Sequence, residues 1–341
     1  MNKLNLLAMT KPELYKVIPE KIPSMKKFNI NQIQTHIFKH GRPDIERFVN
    51  LSMEHRNCLN QHFEMSTPIL KDEQISKDGT KKWLLNFGGD ADIETVFIPD
   101  SHSKKVDFFK GTLCVSSQIG CSLNCSFCRT GTQKLMRNLQ SHEIINQVLF
   151  ALRQLGGFPL PVSNAKIVDN IVLMGQGEPL YNFANVSKAC RSIIENLNYS
   201  PYRITLSTSG VAPLIPKVTT EIGCSLAVSL HAPNDSLRDV LVPINKTYPL
   251  KILMTSIQQY LRLHQYNKNR RVTFEYVMLD GVNDSDVHAK ELIQLVGIEE
   301  FAAILRSANI ATTVRVSRGS DISAACGQLK SKNESKYLRN K

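Results

Sequence analysis

Over residues 141–155 apolar side chains recur at Ile145, Val148, Leu149 and Leu152, three and four positions apart. That is the spacing of one face of an amphipathic helix, with Ser141 placed to cap its start and Gly156-Gly157 to end it. Val186, Ala189, Cys190 and Ile193 repeat the pattern, which assigns Cys190 to packing. Between and after these helices lie short apolar runs suited to buried strands: Leu113 to Ser116, Asn170 to Met174, Arg203 to Leu206, Leu226 to Leu230 and Val272 to Leu279. Strands alternating with helices predict an α/β domain with a parallel sheet, open or curved into a partial barrel, whose active residues sit where strands end and loops begin. The alternation fails once. A helix ending near Val296, with Ala289, Leu292, Ile293 and Val296 on one face, is followed almost at once by another carrying Phe301, Ile304, Leu305 and Ala308, and no strand lies between them. The array should return to the sheet there, so either the architecture changes or a strand-bearing segment is absent.

Upstream the pattern is different. Residues 1–73 read as short helices broken by Pro and Gly, a small accessory domain rich in Lys and His. Residues 74–111 read as a β meander and linker: an Asp78-Gly79 turn, a strand over Trp83 to Phe87, a Gly88-Gly89-Asp90 turn and a strand over Ile93 to Ile98. The catalytic domain then spans 112–329, and 330–341 is a basic tail. The 341-residue chain carries 42 Lys and Arg against 30 Asp and Glu, a formal charge of +12, which points to an acidic partner, nucleic acid above all. No apolar run reaches membrane-spanning length and Met1 to Thr10 lacks a signal-peptide pattern, so a soluble, cytoplasmic protein with no membrane partner is expected. Eight cysteines in a chain of this length suggest metal binding or catalysis rather than a disulfide scaffold.

The chemistry concentrates in a few stretches. Cys121, Cys125 and Cys128 form a C-x3-C-x2-C run. Three thiols with no fourth nearby can hold three irons of a four-iron cluster and leave the fourth open to a ligand. A zinc knuckle completed by a distant Cys or His is the alternative. Met174-Gly175-Gln176-Gly177-Glu178-Pro179 follows a buried strand, and its glycines allow close backbone approach while Glu178 can accept hydrogen bonds; alone it could be a plain tight turn. Leu206-Ser207-Thr208-Ser209-Gly210 and Ser229-Leu230-His231-Ala232-Pro233-Asn234-Asp235 fall at strand ends on the same rim, and together these loops outline a polar pocket. Taken singly, His231 reads as a structural histidine. Cys114 precedes the cluster run, and Cys326 lies in a small-residue stretch from Arg318 to Gln328 suited to a mobile loop. From spacing alone they are two unrelated thiols, and Cys58 and Cys224 are packing residues.

The cluster run resembles that of the radical S-adenosylmethionine (SAM) enzymes. Together with Thr112-Leu113-Cys114-Val115-Ser116-Ser117-Gln118, Gly175 to Leu180, Ser229 to Asp235 and Ala324-Ala325-Cys326-Gly327-Gln328-Leu329, it is similar to the RNA methyltransferases of that superfamily that act on adenine C2. The resemblance runs from about Asp78 to Leu329. It implies a radical SAM partial (β/α)6 barrel with a small helical N-terminal accessory domain, and the methylation of 23S rRNA and of tRNA next to the anticodon. It also implies a [4Fe-4S] cluster on Cys121, Cys125 and Cys128, with SAM contacts at Gly177, Glu178, Ser207, Ser229, Leu230 and His231. Cys326 would carry the methyl group, Glu94 would accept the proton, and Cys114 would form a disulfide with Cys326 to release the product. A reductant such as a flavodoxin and a monomeric state go with it.

The chain departs from that pattern after Val296-Gly297. Relatives carry there a strand and a Pro-rich loop with an Asn that contacts SAM, where this chain continues directly to Ile298-Glu299-Glu300. The missing strand expected from periodicity is thus missing by comparison too, and the barrel is expected to lack its last strand segment. The link from Asp100 to Gly111 is longer than in relatives. Two other readings remain open at this level: a C8-methylating relative, and a non-catalytic RNA-binding remnant.

Overall fold

The computed structural model describes residues 3–89, 91–100, 110–161, 166–263, 271–296, 318–324 and 328. Eight strands form one sheet and stand in it in chain order: β1 (Ile69–Ile75), β2 (Lys81–Asn86), β3 (Asp92–Pro99), β4 (Gly111–Cys114), β5 (Val168–Leu173), β6 (Ile204–Thr208), β7 (Ser225–Ser229) and β8 (Val272–Glu275). From β1 to β4 neighbours are antiparallel, and from β4 to β8 parallel. Each parallel step needs a crossover. Helices α4 (Ser141–Gln154), α5 (Phe183–Asn196), α6 (Asp235–Leu241) and α7 (Leu250–Arg262) lie in three of these crossovers, and α8 (Asp286–Val296) follows β8. Three N-terminal helices, α1 (Lys11–Lys21), α2 (Lys27–Gln34) and α3 (Met53–His62), bury Ile18, Ile30, Ile33 and Leu59 in a core continuous with that of the sheet. No helix among the described residues is long and apolar enough to cross a membrane.

The helix spacing read in the sequence holds: Ile145, Val148, Leu149 and Leu152 of α4 and Val186, Ala189, Cys190 and Ile193 of α5 are all buried. The start of α4 differs by one residue. Gln140 rather than Ser141 is the cap, because the Glu143 carboxylate takes the Gln140 N–H at 2.7 Å while holding both arms of Arg137 at 2.7 Å. The meander begins earlier than Gln74, with β1 starting at Ile69, and β1–β3 extend the same sheet as the parallel strands. Strand β8 stops at Glu275 rather than running to Leu279, since the Val277 and Leu279 amides turn away to His231 Nδ1 and Asn283 Oδ1.

Residue parity divides β2–β4 between two faces, as a period of two requires. Trp83, Leu85, Ile93, Thr95, Phe97 and Leu113 face α4, where Trp83 meets Phe150 edge-on at 5.8 Å and the Thr95 hydroxyl donates to Gln147 Oε1 at 2.9 Å. Lys82, Leu84, Glu94, Val96 and Cys114 share the other face, in the register Leu84 with Glu94, Lys82 with Val96 and Val96 with Cys114. The second abutting helix, the missing-strand junction after Gly297, the basic tail and Cys326 lie outside the described residues.

Candidate active site

The three cysteines sit in a loop closed at its base by an antiparallel pairing of Gln118–Ile119 with Arg137–Asn138. Gly120 enters that loop at φ 77°, and a Cβ there would fall on the Lys134 carbonyl, so no other residue fits the turn. Inside the loop the Cys128 N–H reaches the Cys125 carbonyl at 3.1 Å and the Gly131 N–H the Cys128 carbonyl at 3.0 Å, while Ser126 N–H ties the loop to the Leu241 carbonyl at the end of α6. Burial pushes the Cys121 thiol up to about 11 and the Cys125 thiol up to about 12, with Cys128 and Glu178 adding to the same effect through their charges. Thiols held in this way ionise when cationic iron binds them. Three clustered thiols are a donor set that a four-iron cluster with one open iron can use.

The strand-end loops meet this thiol loop. After β5, Gly177 has φ 94° and packs so closely on Gln118 that a Cβ would overlap it. Gln118 Oε1 accepts the Glu178 N–H at 2.7 Å. The Ser116 hydroxyl donates to the Glu94 carbonyl at 2.7 Å and accepts the Gln176 N–H at 3.0 Å, joining the ends of β3, β4 and β5. Glu178 is buried, and burial raises its carboxyl to about 7 against the opposing hydrogen bonds from Ser209 and Leu180. Its two oxygens accept the Leu180 and Ser209 N–H groups at 3.0 and 2.8 Å, leaving lone pairs for an amine. Ser207 is buried on β6 and Ser229 half-buried at the end of β7. The Leu230 N–H continues the ladder to the Glu275 carbonyl at 2.9 Å. His231 has φ 58°, meets Phe127 of the thiol loop edge-on at 4.6 Å, and accepts the Val277 N–H on Nδ1 at 3.1 Å. Burial lowers the imidazole to about 3, so the ring is neutral and its proton sits on Nε2.

Two residues absent from the sequence reading organise this rim. Arg238 is fully buried on α6, and its guanidinium donates to the carbonyls of Ser209 (2.7 Å), Ser229 (3.1 Å) and Leu230 (3.0 Å) and to Asn245 Oδ1 (3.0 Å). It thereby clamps the ends of β6 and β7. Lys82, buried on β2, pairs with Glu94 at 3.1 Å and donates to the Ser323 carbonyl at 3.4 Å. Ala324, next along, packs with Val96 and Cys114. The stretch beginning at Arg318, expected to be mobile, is docked from Arg318 to Ala324 on the turn between β1 and β2.

A thiol loop opening onto the ends of a parallel sheet is the architecture of radical SAM chemistry, and the Radical SAM superfamily matches residues 115–293. A crystal structure of a radical SAM methyltransferase from Sphaerobacter thermophilus superposes with a TM-score of 0.84 at 35% identity, covering 96% of this chain and 99% of that one. Within the superfamily the chain belongs to the RlmN family: it is 42% identical to the "Dual-specificity RNA methyltransferase RlmN" of Paracoccus denitrificans and 44% identical to that of Sinorhizobium fredii. Both alignments take in 97% of this chain, with 90% and 89% of the relatives. It is a SAM-dependent methyltransferase. The Paracoccus alignment runs over 366 positions against a 341-residue chain, so at least 25 of them have no counterpart here.

Proposed function

We propose that this enzyme methylates C2 of adenine in 23S rRNA and in tRNA next to the anticodon, by way of a methylated cysteine. The observation that carries the reading is the shared face of β2–β4, where Glu94 and Cys114 lie one residue pair apart and Ala324, two residues before Cys326, joins Val96 and Cys114 in one buried cluster. C2 of adenine is an electron-poor carbon, so a polar methyl transfer from SAM has no nucleophile to use. Cys121, Cys125 and Cys128 would hold the cluster, with Gly177, Glu178, Ser207, Ser229, Leu230 and His231 around SAM. When bound, the reduced cluster supplies the electron that cleaves SAM to a 5′-deoxyadenosyl radical. On this reading the methyl group on Cys326 would come from one SAM, and the radical from a second would take a hydrogen atom from it, leaving as 5′-deoxyadenosine, so that the Cys326 methylene carbon bonds to C2. Loss of one electron to the redox partner and of the C2 proton to Glu94 would restore the ring; the Cys114 thiolate would then attack the Cys326 sulfur, breaking its bond to the methylene carbon, which takes up a proton to become the methyl group of the freed RNA while the two cysteines form a disulfide.

The +12 charge supports an RNA substrate, since phosphate contacts supply affinity while an unstacked adenine is read in a pocket. A cytoplasmic location and an electron donor such as a flavodoxin belong to the same reading. The test is anaerobic reaction of the reconstituted enzyme with SAM, reductant and either RNA, followed by nucleoside mass spectrometry. 2-Methyladenosine is expected, and 8-methyladenosine or no product overturns the reading. Cys114→Ala should accumulate protein covalently joined to RNA, whereas Cys326→Ala should give neither product nor adduct.

A further inference from the structure

We infer that Lys82 is a positioning residue of the methyl transfer, holding the Glu94 carboxylate and the loop that leads to Cys326 at one point. The inference rests on the methylcysteine reading above. Three contacts dock residues 318–324 on the β1–β2 hairpin across some 240 positions of sequence. Arg318 Nε meets Asp78 Oδ2 at 2.7 Å, and its Nη2 reaches the carbonyls of Asp78 and Pro99 at 3.2 and 3.3 Å. The Ser76 hydroxyl donates to Asp321 Oδ1 at 2.6 Å and the Lys77 N–H to Asp321 Oδ2 at 3.3 Å. Lys82 makes the third, and it reaches both the loop and Glu94.

The burial of this cation is what gives it weight. The side chains of Lys82 and Glu94 are 9% and 5% exposed, whereas those of Arg318 and Asp78 are 29% and 30% exposed. A buried ion pair is poor value as a source of stability, because desolvation consumes most of the attraction. It is effective at fixing geometry, since either charge alone is strongly penalised and the pair has few alternative arrangements. Lys82 stands diagonally across the β2–β3 register from Glu94, on the face that carries Cys114. A cation there holds the Ser323 carbonyl on that face, next to Ala324, which shares a buried cluster with Val96 and Cys114. The Arg318–Asp78 pair ties the start of the same loop to the turn between β1 and β2.

The first arm of the test needs neither cluster nor SAM nor RNA. Iron-free protein is equilibrated in glutathione buffers, where the Cys114 and Cys326 thiols are oxidised to a disulfide as glutathione disulfide is reduced to two glutathione thiols. Alkylation and mass spectrometry then give the effective concentration of the pair. Lys82→Met and Arg318→Gln should each lower it about tenfold, and Lys82→Arg should restore it. If Lys82→Met fails to fold because the Glu94 charge loses its cation, Lys82→Met/Glu94→Gln removes both charges and carries the same readout. Folded variants with the wild-type equilibrium overturn the inference. In the second arm, reconstituted enzyme should form more 5′-deoxyadenosine per methylated adenine in Lys82→Met than in wild type, with rescue by Lys82→Arg. An unchanged ratio in a folded variant also overturns it. If wild type yields no methyladenine while the disulfide arm behaves as expected, the proposed function fails and the positioning stands.

Discussion

Replacing Arg238 by Met tests whether one buried cation holds the rim of the SAM site. The change leaves the carbonyls of Ser209 and Ser229 and Asn245 Oδ1 without their guanidinium donor, while the Leu230 carbonyl keeps the Ala232 N–H at 2.8 Å. Three acceptors, Asn245 Oδ1 buried and the two carbonyls part-buried, at about 1–3 kcal/mol each give a loss centred near 6 kcal/mol. Met also relieves the burial cost of the guanidinium, the cost that pulls Arg238 down to about 10 from 12.5. That relief is worth about 3 kcal/mol, so the net loss is about 3 kcal/mol, or about 6 °C in melting temperature for a protein of this size. Calorimetry of the iron-free protein measures it. Function should suffer more than stability, because Ser209 also feeds Glu178 and Ser229 ends β7. SAM affinity of the reconstituted enzyme, measured by equilibrium binding, should fall at least tenfold with iron content intact, since about 1.4 kcal/mol of lost contact suffices. A melting point within 2 °C of wild type together with unchanged SAM affinity would refute the clamp.

Other consequences are as direct. Gly120→Ala puts a side chain at φ 77° onto the Lys134 carbonyl. Strain of about 1–3 kcal/mol should open the thiol loop and lower iron per chain on reconstitution, and full iron loading would contradict this. His231 stays neutral in the folded protein down to about pH 3, whereas in the unfolded chain it takes up a proton near its ordinary 6.5. Its contribution is therefore complete above pH 6.5 and is lost on acidification, at up to about 1.4 kcal/mol per pH unit between 6.5 and 3. In denaturant titrations across that range His231→Gln should flatten the slope, and an equal slope in the variant would count against the assignment. Trp83→Ala should cost about 3–5 kcal/mol, because it removes a fully buried indole and its edge contact with Phe150; a loss under 1 kcal/mol in urea unfolding would show that the β2–α4 packing is not the support described.

Periodicity made α4, α5 and the parallel strands legible because each has its own local signal: an apolar stripe three and four apart, or a short run of apolar residues between turns. The site loops were legible because their motifs are contiguous. What was hidden depends on register and on distance. Lys82 stands beside Lys81 ahead of the strand first read from Trp83, and only the pairing of Lys82 with Val96 shows that it points toward Glu94. Arg238 did leave a signal. It lies three residues before buried Leu241 and four after the capping Asn234, on the inward side of α6, but an isolated Arg at a helix surface is ordinarily solvated. The docking of 318–324 could not be read at all, since Asp78 and Arg318 are 240 positions apart and the stretch carries no periodic pattern, with Ile322 its one large apolar residue.

The division between legible and hidden residues follows from what a motif records. On the proposed reading, Cys121, Cys125, Cys128, Glu178 and Cys326 are fixed in type by the chemistry asked of them, so they stand out in the sequence. Lys82 and Arg238 are fixed by what they must reach. Arg238 bonds to three main-chain carbonyls, which any side chains at 209, 229 and 230 would provide, so nothing in those positions announces the clamp. Lys82 likewise meets a carbonyl at Ser323 and a carboxylate on the neighbouring strand. A change at either cation would leave every motif intact while loosening the rim of the SAM site or the approach of the cysteine loop. On the proposed reading, the motifs name the chemistry this chain is equipped for, and the two buried cations are what would hold the reacting groups close enough to perform it.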